Sequence, residues 1–289
     1  MRKLLLQLDS SPLPSVFDRV VAYDAGADEV MSYGGVAEGD VRDLVHGCIF
    51  TRGPKDLKHT AVFIGGSDMT AGERLLAAAR QAFFGPFTVS LMLDSNGSNT
   101  TAVAAVMKLI GAAGEVRGKR AVVVAGTGPV GMRAAGLLAK AGAEVVITSR
   151  KVDAGERVRD LVRQRFGGNV SCVCMASPAD AEGILASASV VLNAGPAGVQ
   201  LVPKRAWAGR AGLAIADLNA VPPLGIEGIE PPDDGLTRDG AQCFGALGVG
   251  NLKMKLHKAC IARLFERNNL VLDAETIADV ARELATAGT

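Results

Sequence analysis

The run Arg120-Ala121-Val122-Val123-Val124-Ala125 passes directly into Gly126-Thr127-Gly128-Pro129-Val130-Gly131 and then into an Ala- and Leu-rich stretch. A Val-rich run bounded by such a turn reads as a strand buried on both faces, as in a parallel sheet. In a Gly-x-Gly-x-x-Gly turn between strand and helix, each glycine has its own task. Gly126 makes the tight turn, Gly128 lets a pyrophosphate reach backbone, and Gly131 lets the helix close on the sheet. Thr127 and Val130 complete the turn, and Pro129 suits the first helical position, where a missing N–H costs nothing. The helix N-terminus then offers its free N–H groups to phosphate. A strand of this kind cannot stand alone, so the chain has to supply parallel neighbours.

It does so along most of its length. Lys3–Leu8, Ala61–Ile64, Val89–Leu93, Glu144–Thr148, Val170–Cys174, Ser189–Asn193 and Leu213–Asp217 are short runs rich in Val, Ile and Leu. Between them, Asp68–Phe83 and Asn99–Ala113 have helical spacing, and Ser15-Val16-Phe17-Asp18 fits a capping box. The fold class expected is α/β with right-handed crossovers. A glycine-rich, charged stretch at Gly111–Lys119 marks one boundary, and prolines and glycines after Asp217 break regular structure. The expected organisation is an N-terminal α/β substrate domain (1–112), a Rossmann-type nucleotide domain (113–244), and C-terminal helices (245–289) that return to the first domain. Those helices are expected at Leu252–Arg267 and Ala274–Ala285.

Composition narrows the function classes. Lys and Arg number 31 against 30 Asp and Glu, a net charge of +1, which argues against a nucleic-acid partner. Five cysteines, odd in number and without a CxxC pair, read as buried thiols in a reducing compartment, hence a cytoplasmic protein. Three histidines without HExxH-like spacing argue against a metal. Gln7 and Asp9 interrupt the apolar N-terminus too early for a signal peptide, and nothing is long and apolar enough to span a membrane.

The strand after the glycine turn selects the cofactor. It ends at Ser149-Arg150-Lys151, where an NAD site usually carries an acidic side chain for the ribose hydroxyls. A hydroxyl and two cations suit a ribose 2′-phosphate instead, so the expected cofactor is NADP. Two later strand ends, Asn193-Ala194-Gly195-Pro196 and Asp217-Leu218-Asn219, are expected to bring Gly195 and Asn219 to the nicotinamide half.

Two segments are candidates for substrate contact. Asp94-Ser95-Asn96-Gly97-Ser98-Asn99-Thr100-Thr101 presents several hydrogen-bonding side chains at a strand's carboxyl end and is expected to cap a helix through Asn99. Asp94, Ser95, Asn96, Ser98, Asn99 and Thr100 are the substrate-binding candidates. The second segment is Gly245–His257, whose glycines read as a flexible approach to a helix carrying Lys253 and His257 on one face.

In this order, Pro14–Asp18, Asp94–Thr101, Gly126–Gly131, Asn219–Pro223 and Leu252–His257 resemble the NADP-dependent methylene-tetrahydromethanopterin dehydrogenases of methylotrophic bacteria, over nearly the whole chain. The resemblance is strongest to the form that also accepts methylene-tetrahydrofolate. It implies a two-domain subunit related to methylene-tetrahydrofolate dehydrogenases, assembled as a homotrimer. It further implies one-carbon metabolism, in formaldehyde oxidation, through oxidation of the methylene-pterin to the methenyl form by NADP+. Carried onto this sequence, the family's active-site residues are Phe17, Thr101, Lys253 and His257. Met254 departs from the Leu common there, a conservative change. Two alternatives stay open on the residues alone: a folate-only methylene-tetrahydrofolate dehydrogenase, and a non-catalytic NADP-binding sensor.

Overall fold

The computed structural model describes residues 1–287. In chain order the first elements are β1 (Leu4–Asp9), α1 (Val16–Asp24), β2 (Glu29–Tyr33), α2 (Glu38–Ile49), β3 (Thr60–Gly65), α3 (Met69–Gln81), β4 (Ser90–Leu93) and α4 (Ser98–Ala113). They are followed by β5 (Arg120–Val124), α5 (Pro129–Lys140), β6 (Glu144–Ser149), α6 (Val152–Phe166), β7 (Val170–Cys174), α7 (Ala181–Leu185), β8 (Val190–Asn193) and β9 (Ala214–Asp217). The last are β10 (Asp234–Arg238), β11 (Ala241–Phe244), α8 (Ala246–Arg263), β12 (Val271–Leu272) and α9 (Ala274–Ala287). The chain divides into two units, residues 1–100 with the chain from Met254, and residues 101–253. The divisions fall within α4 and α8, not at 112/113 and 244/245 where breaks in composition placed them. A composition break marks where regular structure stops, whereas long helices can pass from one unit to another. Residues 288 and 289, the end of the expected C-terminal segment, lie outside the described residues.

The first unit is built on a five-stranded sheet in the order β12-β4-β3-β1-β2, parallel throughout. Leu6, Leu8, Val62, Ile64, Leu91 and Leu93 pack with Val41, Val45 and Ile49 of α2 and Leu75 and Ala79 of α3. The C-terminal segment joins this sheet through β12, paired with β4. Gln7 and Asp9, polar residues in the buried β1, are satisfied locally. Gln7 donates to the Ser15 carbonyl and accepts from Ser32 Oγ. The Asp9 carboxylate accepts from the Ser11 and Ser15 N–H groups at 2.8 and 3.0 Å. The capping box at α1 is therefore half formed: Ser15 Oγ accepts from the Asp18 N–H (3.2 Å), but the Ser15 N–H goes to Asp9. A buried β1 carboxylate thus sets where α1, and with it Phe17, begins.

The second unit has a seven-stranded sheet in the order β10-β11-β9-β8-β5-β6-β7. Only the β10–β11 pair is antiparallel. That hairpin and β2 escape the sequence reading because Gly, Asp and Arg in β10 and the short polar β2 lack an apolar run. On one face Val122, Val124, Val191 and Ile215 bury Trp207, Val202, Ile226 and Ile229. Trp207 Nε1 donates to the Glu227 carbonyl at 3.0 Å, so the chain's one tryptophan is fully buried and satisfied.

The reading of Gly245, Gly248 and Gly250 as a flexible approach is corrected, since α8 already begins at Ala246. A Cβ at Gly245 would collide with the Glu230 carbonyl oxygen, and one at Gly248 with that of Asp233. These two glycines let α8 lie against the Glu230–Asp233 backbone.

The expectation that the cysteines are buried is corrected at two of the five. Cys48, Cys243 and Cys260 are buried, Cys172 is half-buried and Cys174 is exposed, because β7 is the edge strand. Burial pushes Cys48 and Cys243 up to about 11, and Cys260 is raised by the same cause. At pH 8 a thiol reagent is therefore expected to label native Cys174 first and Cys172 more slowly, and the other three only on unfolding. Thiols with raised folded pKa values contribute stability below the ordinary thiol range that is lost as pH rises through the folded values. A melting temperature falling as pH approaches about 11 checks the sign.

Candidate functional site

A cleft of about 500 Å³ opens in the second unit beyond the carboxyl ends of β5, β6, β7 and β8. Val124, Ala125, Thr127 and Gly128 line its floor, and Thr148, Ser149, Arg150 and Lys151 line one side. Met175–Pro178 and Ala194, Pro196, Val199 and Leu201 complete it. Ligands of open α/β sheets bind where strand order reverses, and β5, flanked by β6 on one side and β8 on the other, is that point.

The three glycines of the turn occupy different environments. A Cβ at Gly126 would lie 2.6 Å from Ile147 Cγ2, and one at Gly131 would lie 2.6 Å from the Gly126 Cα. Both are needed for strand, turn and helix to close. A Cβ at Gly128 would meet nothing within 4 Å, so no packing within the chain demands glycine there. The open space lies in the cleft wall. The first α-helical bond of α5 runs from the Met132 N–H to the Gly128 carbonyl at 2.9 Å, leaving the Val130 and Gly131 N–H groups ahead of it as donors. Pro129 occupies the first turn and, with Val130 and Gly131, stands behind the residues that line the cleft.

Arg150 and Lys151 are exposed at the cleft edge, and no carboxylate among the described residues pairs with either. Lys151 is the N-cap of α6. A cation at a helix N-terminus is disfavoured by about 0.3–1 kcal/mol, so this pair fits an anion that binds from outside. Ser149 lines the cleft, but its hydroxyl donates to the Lys151 carbonyl (2.8 Å) and accepts from the Lys151 N–H (3.2 Å). It shapes the turn that presents the two cations. Met175, Ala176, Ser177 and Pro178 were not read from the sequence. The available signal was a Ser-Pro pair following a parallel strand.

Gly195 and Asn219 are not among the residues lining the cleft. A Cβ at Gly195 would lie 2.5 Å from Leu201 Cδ1, and the Gly195 N–H donates to Asn193 Oδ1 (3.1 Å). Asn219 Oδ1 accepts from the Val221 N–H (2.9 Å) and Gly198 N–H (3.4 Å), and Nδ2 donates to the Pro223 carbonyl (3.1 Å). Asp217, fully buried, accepts from Asn193 Nδ2 (2.8 Å), the Asn219 N–H (3.0 Å) and the Ile226 N–H (2.8 Å). Burial holds its carboxyl above the usual range, against the pull of these hydrogen bonds.

In the first unit the Asp94 loop forms an interior scaffold. Asp94, Ser95, Ser98, Asn99 and Thr100 are buried, and Asn96 is exposed. The cap of α4 is Asp94, not Asn99: its Oδ1 accepts from the Asn99 and Thr100 N–H groups, each at 2.9 Å. Its Oδ2 accepts from Thr100 Oγ1 at 2.6 Å. Ser95 Oγ donates to the Gly65 carbonyl and Ser98 Oγ to the Ser95 carbonyl, each at 2.7 Å.

The structure brings Phe17 and His257 together beside this scaffold. Their ring centroids are 6.3 Å apart and tilted by 47°. His257 is fully buried rather than on a solvated face, stacked on Phe63 at 5.5 Å, with Nδ1 4.0 Å from Asp94 Oδ2. Phe17 is 49% exposed, so it is the member of the pair that can meet a ligand. Thr101 and Lys253, both half-buried, belong to the second unit.

The fold places the chain with two-unit, Rossmann-type α/β proteins. It superposes on shikimate 5-dehydrogenase of Listeria monocytogenes, solved with shikimate and NAD, at a TM-score of 0.58 and 13% identity, covering 98% of this chain and 96% of that one. Quinate dehydrogenase of Corynebacterium glutamicum, solved with NAD, matches at 0.50 and 14% identity over 98% of this chain and 99% of that one. At such identities the likeness is one of fold alone. Sequence comparison is closer. Residues 16–96 match the family described as methylene-tetrahydromethanopterin dehydrogenase, N-terminal. The chain is 52% identical to the bifunctional protein MdtA of Methylorubrum extorquens, over 98% of this chain and 99% of that protein. It is 33% identical to the NAD(P)-dependent methylenetetrahydromethanopterin dehydrogenase of the same organism, again over 98% and 99%. The chain belongs to the methylene-tetrahydromethanopterin dehydrogenase family. Among the described residues no helix is long and apolar enough to cross a membrane.

Proposed function

We propose that the chain catalyses reversible hydride transfer from methylene-tetrahydromethanopterin to NADP+, giving the methenyl-pterin and NADPH, and accepts methylene-tetrahydrofolate as a second substrate. The observation that carries this reading is the cleft in which Gly128 leaves open space beside helix N–H donors while Arg150 and Lys151 have no carboxylate partner among the described residues. Family membership supports the pterin substrate. The name of the relative at 52% identity, a bifunctional protein, accords with a second one. The cytoplasmic setting read from the cysteines and the trimeric assembly implied by the family resemblance belong to the same reading.

When bound, the dinucleotide supplies the oxidised nicotinamide ring as hydride acceptor. The Gly126–Gly131 turn and the α5 N-terminus hold the pyrophosphate, and Arg150 and Lys151 hold the 2′-phosphate. The methylene carbon of the substrate lies between two nitrogens, so loss of hydride leaves a cation delocalised over N–C–N. No proton moves in that step, and the residues need supply no acid or base. Their work is positioning and exclusion of water. Phe17 presents its exposed ring to the pterin, and His257 supports Phe17 from behind as a positioning residue. Thr101 hydrogen-bonds the substrate, and Lys253 anchors a pterin carbonyl or amide; as a cation it would oppose the positive product, so its role is not to stabilise that charge.

The test follows NADPH absorbance with each methylene-pterin and each oxidised nucleotide. Reduction of NADP+ with methylene-tetrahydromethanopterin is expected. Tight NADP+ binding without reduction by either pterin overturns the reading in favour of a sensor, and activity with the folate alone overturns the substrate. Two variants sharpen the test. Arg150→Ala/Lys151→Ala is expected to weaken NADP+ by at least about tenfold, from charged hydrogen bonds worth about 1.5–3 kcal/mol each, with little change for NAD+. Phe17→Ala is expected to raise KM for the pterin by up to about tenfold, the worth of an aromatic contact, leaving KM for NADP+ unchanged.

A further inference from the structure

One wall of the cofactor cleft is suspended from a buried network whose own side chains do not line the cleft. The wall is the segment 194–201, which contributes Ala194, Pro196, Val199 and Leu201. It is secured at three points to the end of β9 and the turn that follows. At its start, the Gly195 N–H donates to Asn193 Oδ1 (3.1 Å), and Asn193 Nδ2 donates to Asp217 Oδ1 (2.8 Å). In its middle, the Gly198 N–H donates to Asn219 Oδ1 (3.4 Å). At its end, the Leu201 N–H donates to the Gly225 carbonyl (2.8 Å). Asp217 holds the turn itself, through the Asn219 and Ile226 N–H groups. A Cβ at Gly225 would strike Asn193 Nδ2 and lie 2.8 Å from Asp217 Oδ1, so the two side chains and this backbone are packed without slack.

The position of this wall bears on chemistry because of sheet order. Arg150 and Lys151 follow β6, on one side of β5, and the 194–201 wall follows β8, on the other. A dinucleotide crossing the β5 turn with its 2′-phosphate at Arg150 must extend its nicotinamide half toward β8. We propose that Asp217 and Asn193 are positioning residues for hydride transfer: by anchoring the 194–201 wall they set where the nicotinamide half comes to rest. The proposal rests on the cofactor reading above. Neither residue lines the cleft. Displacing a reacting centre by about 1 Å can reduce the rate on the order of a hundredfold, so small shifts of the wall are enough.

Asp217→Asn keeps the shape but turns an amide N–H₂ toward backbone donors. Asn219→Ala removes the middle anchor together with the bonds of Asn219 to the Val221 N–H and the Pro223 carbonyl, and leaves the anchors at both ends of the wall. Each variant and the wild type are assayed for binding of adenosine 2′,5′-bisphosphate, which reaches only the β6 side, for binding of NADP+, and for single-turnover hydride transfer. Unchanged bisphosphate affinity is expected, with transfer slowed on the order of a hundredfold in Asp217→Asn and about tenfold in Asn219→Ala. A purely structural role would weaken bisphosphate and NADP+ by the same factor, and that result overturns the proposal, as does wild-type transfer in a folded variant. If Asp217→Asn does not fold, it also loses the bisphosphate, and Asn219→Ala decides. Failure of the wild type to bind the bisphosphate overturns the cofactor reading itself and this proposal with it.

Discussion

Gly128→Asp is expected to lose NADP+ binding by on the order of a hundredfold, because a carboxylate placed against a pyrophosphate costs several kcal/mol. The same variant is expected to melt at or slightly above the wild-type temperature. Gly128 is the N-cap of α5, with φ −79° and ψ 170°, a conformation open to any L residue. A Cβ there meets nothing within 4 Å, and Asp is among the preferred N-cap residues, worth a few tenths of a kcal/mol or more over Gly. Stability and binding therefore move in opposite directions, which separates a ligand-admitting glycine from a packing one. Isothermal titration with NADP+ beside a thermal melt checks both signs. Retained affinity would mean that the pyrophosphate lies elsewhere. The neighbouring Gly131→Ala should behave otherwise and lose stability, since its Cβ would fall on the Gly126 backbone.

The second large effect concerns α8, where two glycines two residues apart should answer the same substitution with opposite signs. In a helix interior Gly→Ala gains about 0.5–1 kcal/mol from the unfolded state and the intrinsic propensity. Gly250 has nothing within 4 Å of its Cβ position, so Gly250→Ala should realise most of that gain. At Gly248 the Cβ would overlap the Asp233 carbonyl oxygen, and that is backbone rather than a side chain that can turn away. Asp233 is itself fixed, accepting from Arg238 Nε and Nη2 at 2.7 and 2.8 Å. Overpacking against an immobile neighbour costs about 1–3 kcal/mol or more, which outweighs the propensity gain. Gly248→Ala should therefore destabilise by a net amount of about 1–2 kcal/mol. Denaturant melts of the two single variants decide it, and equal shifts would refute the packing account.

These cases show how the legible and illegible parts of the sequence divide. The apolar runs of β1, β3, β4, β5, β6, β8 and β9 announce themselves because strands covered on both faces admit almost only Val, Ile, Leu and Ala. The β10–β11 hairpin and β2 do not, being short, polar and near sheet edges. In the site, Arg150 and Lys151 are recognisable from position alone, since they end the strand after the glycine turn. The role of the Asp94 loop is not. A string of Asp, Ser, Asn and Thr looks the same whether its hydrogen bonds face a ligand or the chain's own backbone, and here Asp94, Ser98 and Thr100 bond within their own loop and helix while Ser95 bonds to the end of β3.

By itself the sequence determined the α/β class, the dinucleotide turn, the cationic end of β6 and the family, because each depends on residues adjacent in the chain. Only the tertiary structure decided that Gly128 faces open space while Gly248 faces a carbonyl, and that His257 lies buried behind Phe17. It alone placed Asn193, Asp217 and Gly225 in one network. Those facts depend on what stands opposite a residue across the fold, and distances between chain-distant atoms are not written in local spacing.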